Sequence, residues 1–211
     1  MYRLIIETSN LDFQTALHDG AQFAYRSDQD DEANGMELSG QLKRGLAASG
    51  TQMSDIGEII VDVGPGGLTS TRSGIAFANG LTFALKIPIV EVNSLELMVL
   101  QAGLDTHENV VSARRSNDGK SFLGFYHSGK CQHLALGVAE DLVLARNWQN
   151  DAITWVGPVP KNWDDIDGQF NITRIDLQSS GLEAFAAIIA DEGFAARPRL
   201  TAAGPINETI R

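Results

Sequence analysis

Residues 58–63 form an aliphatic run that stops at Gly64-Pro65-Gly66-Gly67, four residues that continue neither a strand nor a helix. Beyond them, residues 69–86 carry Ile75, Phe77, Ala78, Leu81, Ala84 and Leu85, spread widely enough around a helix to call for more than one buried face. Ile87-Pro88-Ile89-Val90-Glu91-Val92 then reads as a short parallel strand. Strand, glycine turn, long helix and strand in succession confine the chain to the α/β class.

The flanks extend this grammar. Residues 2–8, 13–18 and 22–25 read as strands, the last two separated by the hairpin dipeptide Asp19-Gly20. After a polar acidic loop at residues 28–32, Leu38, Leu42 and Leu46 recur every four residues, as one helical face does, and this helix ends at Gly50. Ser94 caps a helix carrying Leu95, Leu97 and Met98, so the first half is βββαβαβα. The second half repeats the order loosely, with strands at residues 110–114, 122–127, 130–136, 153–156 and 172–175 and a helix at 139–147. Ser180-Gly181-Leu182-Glu183 has capping-box spacing and opens a helix with Leu182, Phe185, Ala186 and Ile189 on one side. The expected architecture is an internally duplicated α/β fold of two lobes, residues 1–105 and 106–211, with a cleft between them.

Length and charge narrow the functions. A chain of 211 residues buries roughly 70% of its unfolded surface and can build a core unaided. Sixteen Lys and Arg against twenty-seven Asp and Glu give a net charge of −11, which argues against roles that neutralise many phosphates, direct tight nucleic-acid binding among them. Cys131 is the single cysteine, so neither an intrachain disulfide nor a four-cysteine zinc site can form. The N-terminus lacks a signal-type apolar run and no stretch reaches the roughly 20 residues needed to cross a bilayer. A soluble, cytoplasmic protein without membrane association is expected.

Candidate chemistry is sparse. Backbone N–H groups of Gly64, Gly66 and Gly67 before a helix could receive an anion, but Leu68 and Thr69 stand where a Walker loop needs Lys and Ser/Thr. No glycine closes a dinucleotide fingerprint. The plainer expectation is a structural turn, Gly64-Pro65-Gly66, with Thr69 as the helix cap. Arg72 lies in the first turn, where the helix dipole disfavours a cation, so a carboxylate or partner contact, or solvent, must offset it. His18, His107, His127 and His133 show no metal-binding spacing, no Gly-x-Ser-x-Gly elbow occurs, and Asp164, Asp165 and Asp167 read as solvated loop charge. No metal and no cofactor is expected.

The stretch from Ser54-Asp55-Ile56 to Leu95 resembles the TsaB family, also called YeaZ, a partner subunit in making threonylcarbamoyladenosine in tRNA. The match rests on Asp55-Ile56, Gly64-Pro65-Gly66, Thr69, Arg72, Gly74, Ala78, Gly80-Leu81, Pro88, Val92 and Leu95, with Ile5-Ile6-Glu7-Thr8 and Ala113-Arg114 outside it. The resemblance implies the actin/Hsp70-like (ASKHA) fold. It also implies a subunit without catalysis of its own, supporting a TsaD-type transferase, and a TsaE-type ATPase as a further partner. An active cleft of this fold needs acids at the strand tips and glycine hairpins for phosphate. Glu7 keeps one carboxylate, but no glycine occurs from Glu7 to His18, and Ser112 stands where the second lobe would have Asp.

The resemblance further implies that the helices of residues 36–49 and 69–86 pair with those of TsaD, or of a second TsaB, as a four-helix bundle. Leu38, Leu42, Leu46, Thr69, Arg72, Gly74, Phe77, Ala78 and Leu81 are the candidate interface, and tRNA is met only through the partner. Two alternatives stay open: an ATP-dependent phosphotransferase or carbamoyltransferase of the same fold, and a homodimeric regulator using the same helices.

Overall fold

The computed structural model describes residues 1–10, 12–116, 119–146, 148, 151–160 and 170–190. Two units are distinguished, the first built from Met1–Ser94 with the helix Glu183–Ala190, the second from Leu95–Ser180.

The first unit holds one sheet, formed by β1 (Tyr2–Glu7), β2 (Gln14–His18), β3 (Phe23–Arg26), β4 (Ile56–Asp62) and β5 (Ile89–Val92), in the order β3-β2-β1-β4-β5. The first three strands form an antiparallel meander, and β4 and β5 add in parallel through helical crossovers. The Asp19 carboxylate holds the β2–β3 turn by accepting from the N–H groups of Ala21 and Gln22 at 2.7 and 2.8 Å. Strand alternation sends Leu4, Ile6, Leu17, Ile59, Val61 and Ile89 into one core. Over it lie α1 (Leu38–Ser49), against β2 and β3, and α2 (Leu68–Leu85), against β1, β4 and β5. Gly45 lets α1 sit on the Tyr25 ring, since a Cβ there would stand 2.6 Å from it. Gly50 ends α1 in the left-handed conformation, φ 65°.

The second unit repeats the pattern with β6 (Val110–Arg115), β7 (Ser121–His127), β8 (Lys130–Gly137), β9 (Ala152–Val156) and β10 (Asn171–Ile175). Their order is β10-β9-β6-β7-β8, with β6, β7 and β8 antiparallel and β6, β9 and β10 parallel. Replacing β6–β10 by β1–β5 gives the first sheet's order, so the duplication is one of topology. This is the expected actin/Hsp70-like architecture. Two cores flank this second sheet, one around Phe125 and Trp155 with α4 (Ala139–Leu144), the other around Tyr126 and Val156 with α3 (Ser94–Gln101).

Several local expectations change. Thr69 is not the cap of α2: Gly67 occupies that position and Thr69 lies inside the first turn, exposed. Ser94 does open α3, but its hydroxyl is drawn to Asp62, a stronger acceptor than backbone. The Glu183 carboxylate pairs with Arg26 on β3 at the start of α5 (Glu183–Ala190). Helix α2 covers one face only, through Thr71, Gly74, Ala78 and Thr82. In the 28–32 loop, Asp30 is bound by Arg44 and by the Tyr25 hydroxyl. The Asp164, Asp165 and Asp167 cluster lies outside the described residues. Among the described residues, no helix is long and apolar enough to cross a membrane.

Candidate functional site

Strands β1 and β4 run parallel with Ile6 beside Val61, so the next residues, Glu7 and Asp62, point to the same sheet face at neighbouring strand tips. Both are fully buried. Glu7 Oε1 accepts from the Ser9 N–H and hydroxyl, each at 2.7 Å, and from the Asn10 N–H at 3.2 Å. The same Ser9 hydroxyl stands 2.6 Å from Asp62 Oδ2. Asp62 also accepts from the Gly64 N–H at 2.7 Å and from the Ser94 hydroxyl, 2.7 and 2.8 Å from its two oxygens. One Ser9 hydrogen cannot serve both acids, so the pair needs a carboxyl proton of its own. Burial, then the Asp62 charge and hydrogen bond, push Glu7 well above the ordinary carboxylate range.

The glycine turn closes over this pair. A Cβ on Gly66 would lie 2.3 Å from the Ser9 carbonyl oxygen, and one on Gly74 would lie 2.0 Å from Thr8 Oγ1. Gly64 adopts φ +92°, which an L side chain resists. The N–H of Gly64 goes to Asp62, and that of Gly67 to the Ser9 carbonyl at 3.3 Å. Two of the three donors that the sequence offers to an anion are therefore engaged within the chain.

These residues do not fit a nucleotide's divalent cation. Such an ion takes carboxylate oxygens open to it, whereas here both acids are fully buried and hold hydrogen bonds from Ser9, Gly64 and Ser94. Among the described residues no three His, Cys, Asp or Glu side chains group as metal ligands. In the β7–β8 hairpin His127 faces Lys130 and His133 faces Phe125, so the two histidines do not converge with Cys131. Ser112 is fully buried at β6 and supplies no carboxylate.

The candidate interface residues divide by burial. Leu38, Leu42, Gly74 and Ala78 are buried in the first unit, and Leu46, Phe77 and Leu81 pack half-buried on its core. Thr69 and Arg72 are exposed, and Arg72 makes no ion pair among the described residues. They share the outer face of α2 with Ser73, Ala76, Gly80, Phe83 and Ala84, at helical three- and four-residue steps. Phe83 is 73% exposed, and Leu68, opening the helix, 67%. Beside it α1 leaves Lys43, Ala47 and Ala48 exposed. Gly64 and Pro65 are buried in the turn.

Residues 37–118 match the family described as TsaD: tRNA N6-adenosine threonylcarbamoyltransferase. Two curated relatives named tRNA threonylcarbamoyladenosine biosynthesis protein TsaB align with the chain. The Haemophilus influenzae protein is 36% identical over 32% of this chain and 29% of its own length, and the Escherichia coli protein 38% identical over 25% and 23%. An Anaplasma phagocytophilum tRNA N6-adenosine threonylcarbamoyltransferase is 36% identical over 30% of this chain and 19% of its own. The solved structure of YeaZ from Pseudomonas aeruginosa superposes with a TM-score of 0.74 at 18% identity, covering 99% of each chain. The chain is similar to TsaB proteins over part of its length and has the fold of YeaZ. The sequence matches span less than a third of each curated relative's length, whereas the structural match to YeaZ covers 99% of each chain.

Sequence reasoning found Glu7 and the glycine turn but missed Asp62, Ser9 and Ser94 as a buried network. Asp62 ends an aliphatic strand one residue before the turn. A carboxylate closing the aliphatic run Ile59-Ile60-Val61 just before the glycine turn is the signal that could have found it.

Proposed function

We propose that this chain is a non-catalytic subunit that binds and supports a TsaD-type threonylcarbamoyl transferase acting on tRNA adenosine, through the outer faces of α2 and α1. Gly80 carries the proposal. It stands inside α2 with nothing within 4 Å of where its Cβ would be, although glycine there disfavours the helix by about 1 kcal/mol relative to alanine. Gly74, by contrast, has Thr8 against it. The reason for Gly80 thus lies outside the first unit, and close approach of a second helix supplies one. Phe83, one turn on, offers the aromatic anchor that such interfaces use.

The sealed Glu7–Asp62 pair supports the absence of catalysis by the chain alone. A net charge of −11 agrees with the partner holding most of the tRNA, and a TsaE-type ATPase would join the same cytoplasmic assembly. A second copy of the chain would compete for the same face.

Reconstitution tests this. The TsaD-type subunit of the same organism, with tRNA, threonylcarbamoyl donor and TsaE-type ATPase, should form modified tRNA only when the chain is added. Full activity without the chain, or ATP turnover by the chain alone, would overturn the proposal.

A further inference from the structure

Among the described residues three pairs place Asp or Asn before glycine: Asp19-Gly20, Asn34-Gly35 and Asn79-Gly80. In such a pair the glycine's backbone nitrogen can attack the side-chain carbonyl carbon before it, because no Cβ shields that nitrogen. The fold holds two of the pairs and leaves the third open.

The Asp19 carboxylate accepts from the N–H groups of Ala21 and Gln22, and the Gly20 N–H donates to His18 Nδ1 at 3.0 Å, so both reacting groups are engaged. Asn79 and Gly80 lie within α2, whose ladder commits the Gly80 N–H to the Ala76 carbonyl. Attack there requires the helix to open first. Asn34 and Gly35 are both exposed, in the turn of residues 31–35 that precedes α1. The N–H groups of Asn34 and Met36 donate to the Asp31 and Ala33 carbonyls at 3.4 and 3.1 Å, but that of Gly35, between them, meets no acceptor among the described residues. A Cβ on Gly35 would find nothing within 4 Å, so the space beside this nitrogen is clear as well.

We propose that Asn34 is a site of spontaneous deamidation, selected by the fold over Asn79. The Gly35 nitrogen bonds to Asn34 Cγ, the Cγ–Nδ2 bond breaks, and ammonia leaves with the proton that the Gly35 nitrogen gives up. Water then opens the cyclic imide. Addition at Cγ yields aspartate, whereas addition at the main-chain carbonyl yields isoaspartate, whose backbone runs through the former side chain. Both products add a negative charge. Isoaspartate also inserts a methylene into the turn that the Met36 N–H closes on Ala33, which breaks that hydrogen bond. The Met36 carbonyl accepts from Gln41 Nε2 at 3.1 Å, so the change reaches the entry of α1.

Ageing the whole chain at pH 8 and 37 °C, in buffer and in 8 M urea, tests the proposal. Tryptic mapping by mass spectrometry reads residues 27–43 and 73–86 separately, and an isoaspartyl methyltransferase label marks the rearranged product. In buffer the Asn34 peptide should gain mass and label at least tenfold faster than the Asn79 peptide, and in urea the two rates should come within about threefold, since helix opening is then no longer required. Equal rates in buffer, faster reaction at Asn79, or an Asn34 peptide unchanged in buffer while urea converts it would overturn the proposal. A tenfold difference that persists in urea would overturn the selection by the fold.

Discussion

Gly66 and Ser9 come so close that a single added Cβ on the glycine would stand 2.3 Å from the serine carbonyl oxygen. This contact presses the turn after β4 onto the segment after β1 and shuts the two strand-tip acids away from solvent. Gly66→Ala should therefore lower unfolding free energy by about 1–3 kcal/mol, the usual range for overpacking a tight site. Gly74→Ala, aimed at Thr8, should behave alike. Urea denaturation measures both, and wild-type midpoints would show that the turn yields freely.

The buried acid pair predicts a pH dependence. Glu7 holds its proton more tightly folded than unfolded, so its contribution is complete below its ordinary pKa of 4.5 and is lost as pH rises toward the raised folded value. Glu7→Gln keeps an acceptor, gives Asp62 a permanent N–H donor and removes the titration. From pH 5 upward the wild type should lose stability relative to Glu7→Gln. Paired urea curves at pH 5, 7 and 9 measure this, and a constant difference between the proteins would contradict a shared proton.

Gly80 makes a sharper separation between folding and association. Gly80→Ala should stabilise the isolated chain by about 0.5–1 kcal/mol, because alanine is the better helix former and its Cβ meets nothing. Gly80→Leu should fold as well yet weaken partner binding at least tenfold by holding the helices apart. Thermal melts beside a binding titration test this. Equal affinity for the leucine variant would remove the close-approach argument.

Much of the fold was legible because its signals are local. The strand run ending in Gly64-Pro65-Gly66, the four-residue leucine spacing of α1 and the Asp19-Gly20 turn each specify an element within a few residues. The proposed interface was harder to read, since Gly74, Ala78 and Gly80 look alike as small helical residues. Their burial depends on the angle at which α2 meets β1, β4 and β5, and no spacing rule supplies that angle. The acid network was hidden for a similar reason: Glu7, Asp62 and Ser94 are distant in sequence, and strand register alone brings them together.

The central claim is that the chain works through the outside of α2. Sedimentation velocity of an equimolar mixture with the TsaD-type subunit tests it most directly, using wild type, Ala76→Asp, Phe83→Asp and Ala78→Asp. Ala76 and Phe83 are exposed, so their variants should keep stability within about 0.5 kcal/mol. Ala78 is fully buried, and an uncompensated charge there should unfold the first unit. The account predicts a heterodimer boundary for wild type that disappears with Ala76→Asp and Phe83→Asp while both stay folded. Two independent boundaries for wild type, or a heterodimer that survives both substitutions, would contradict it.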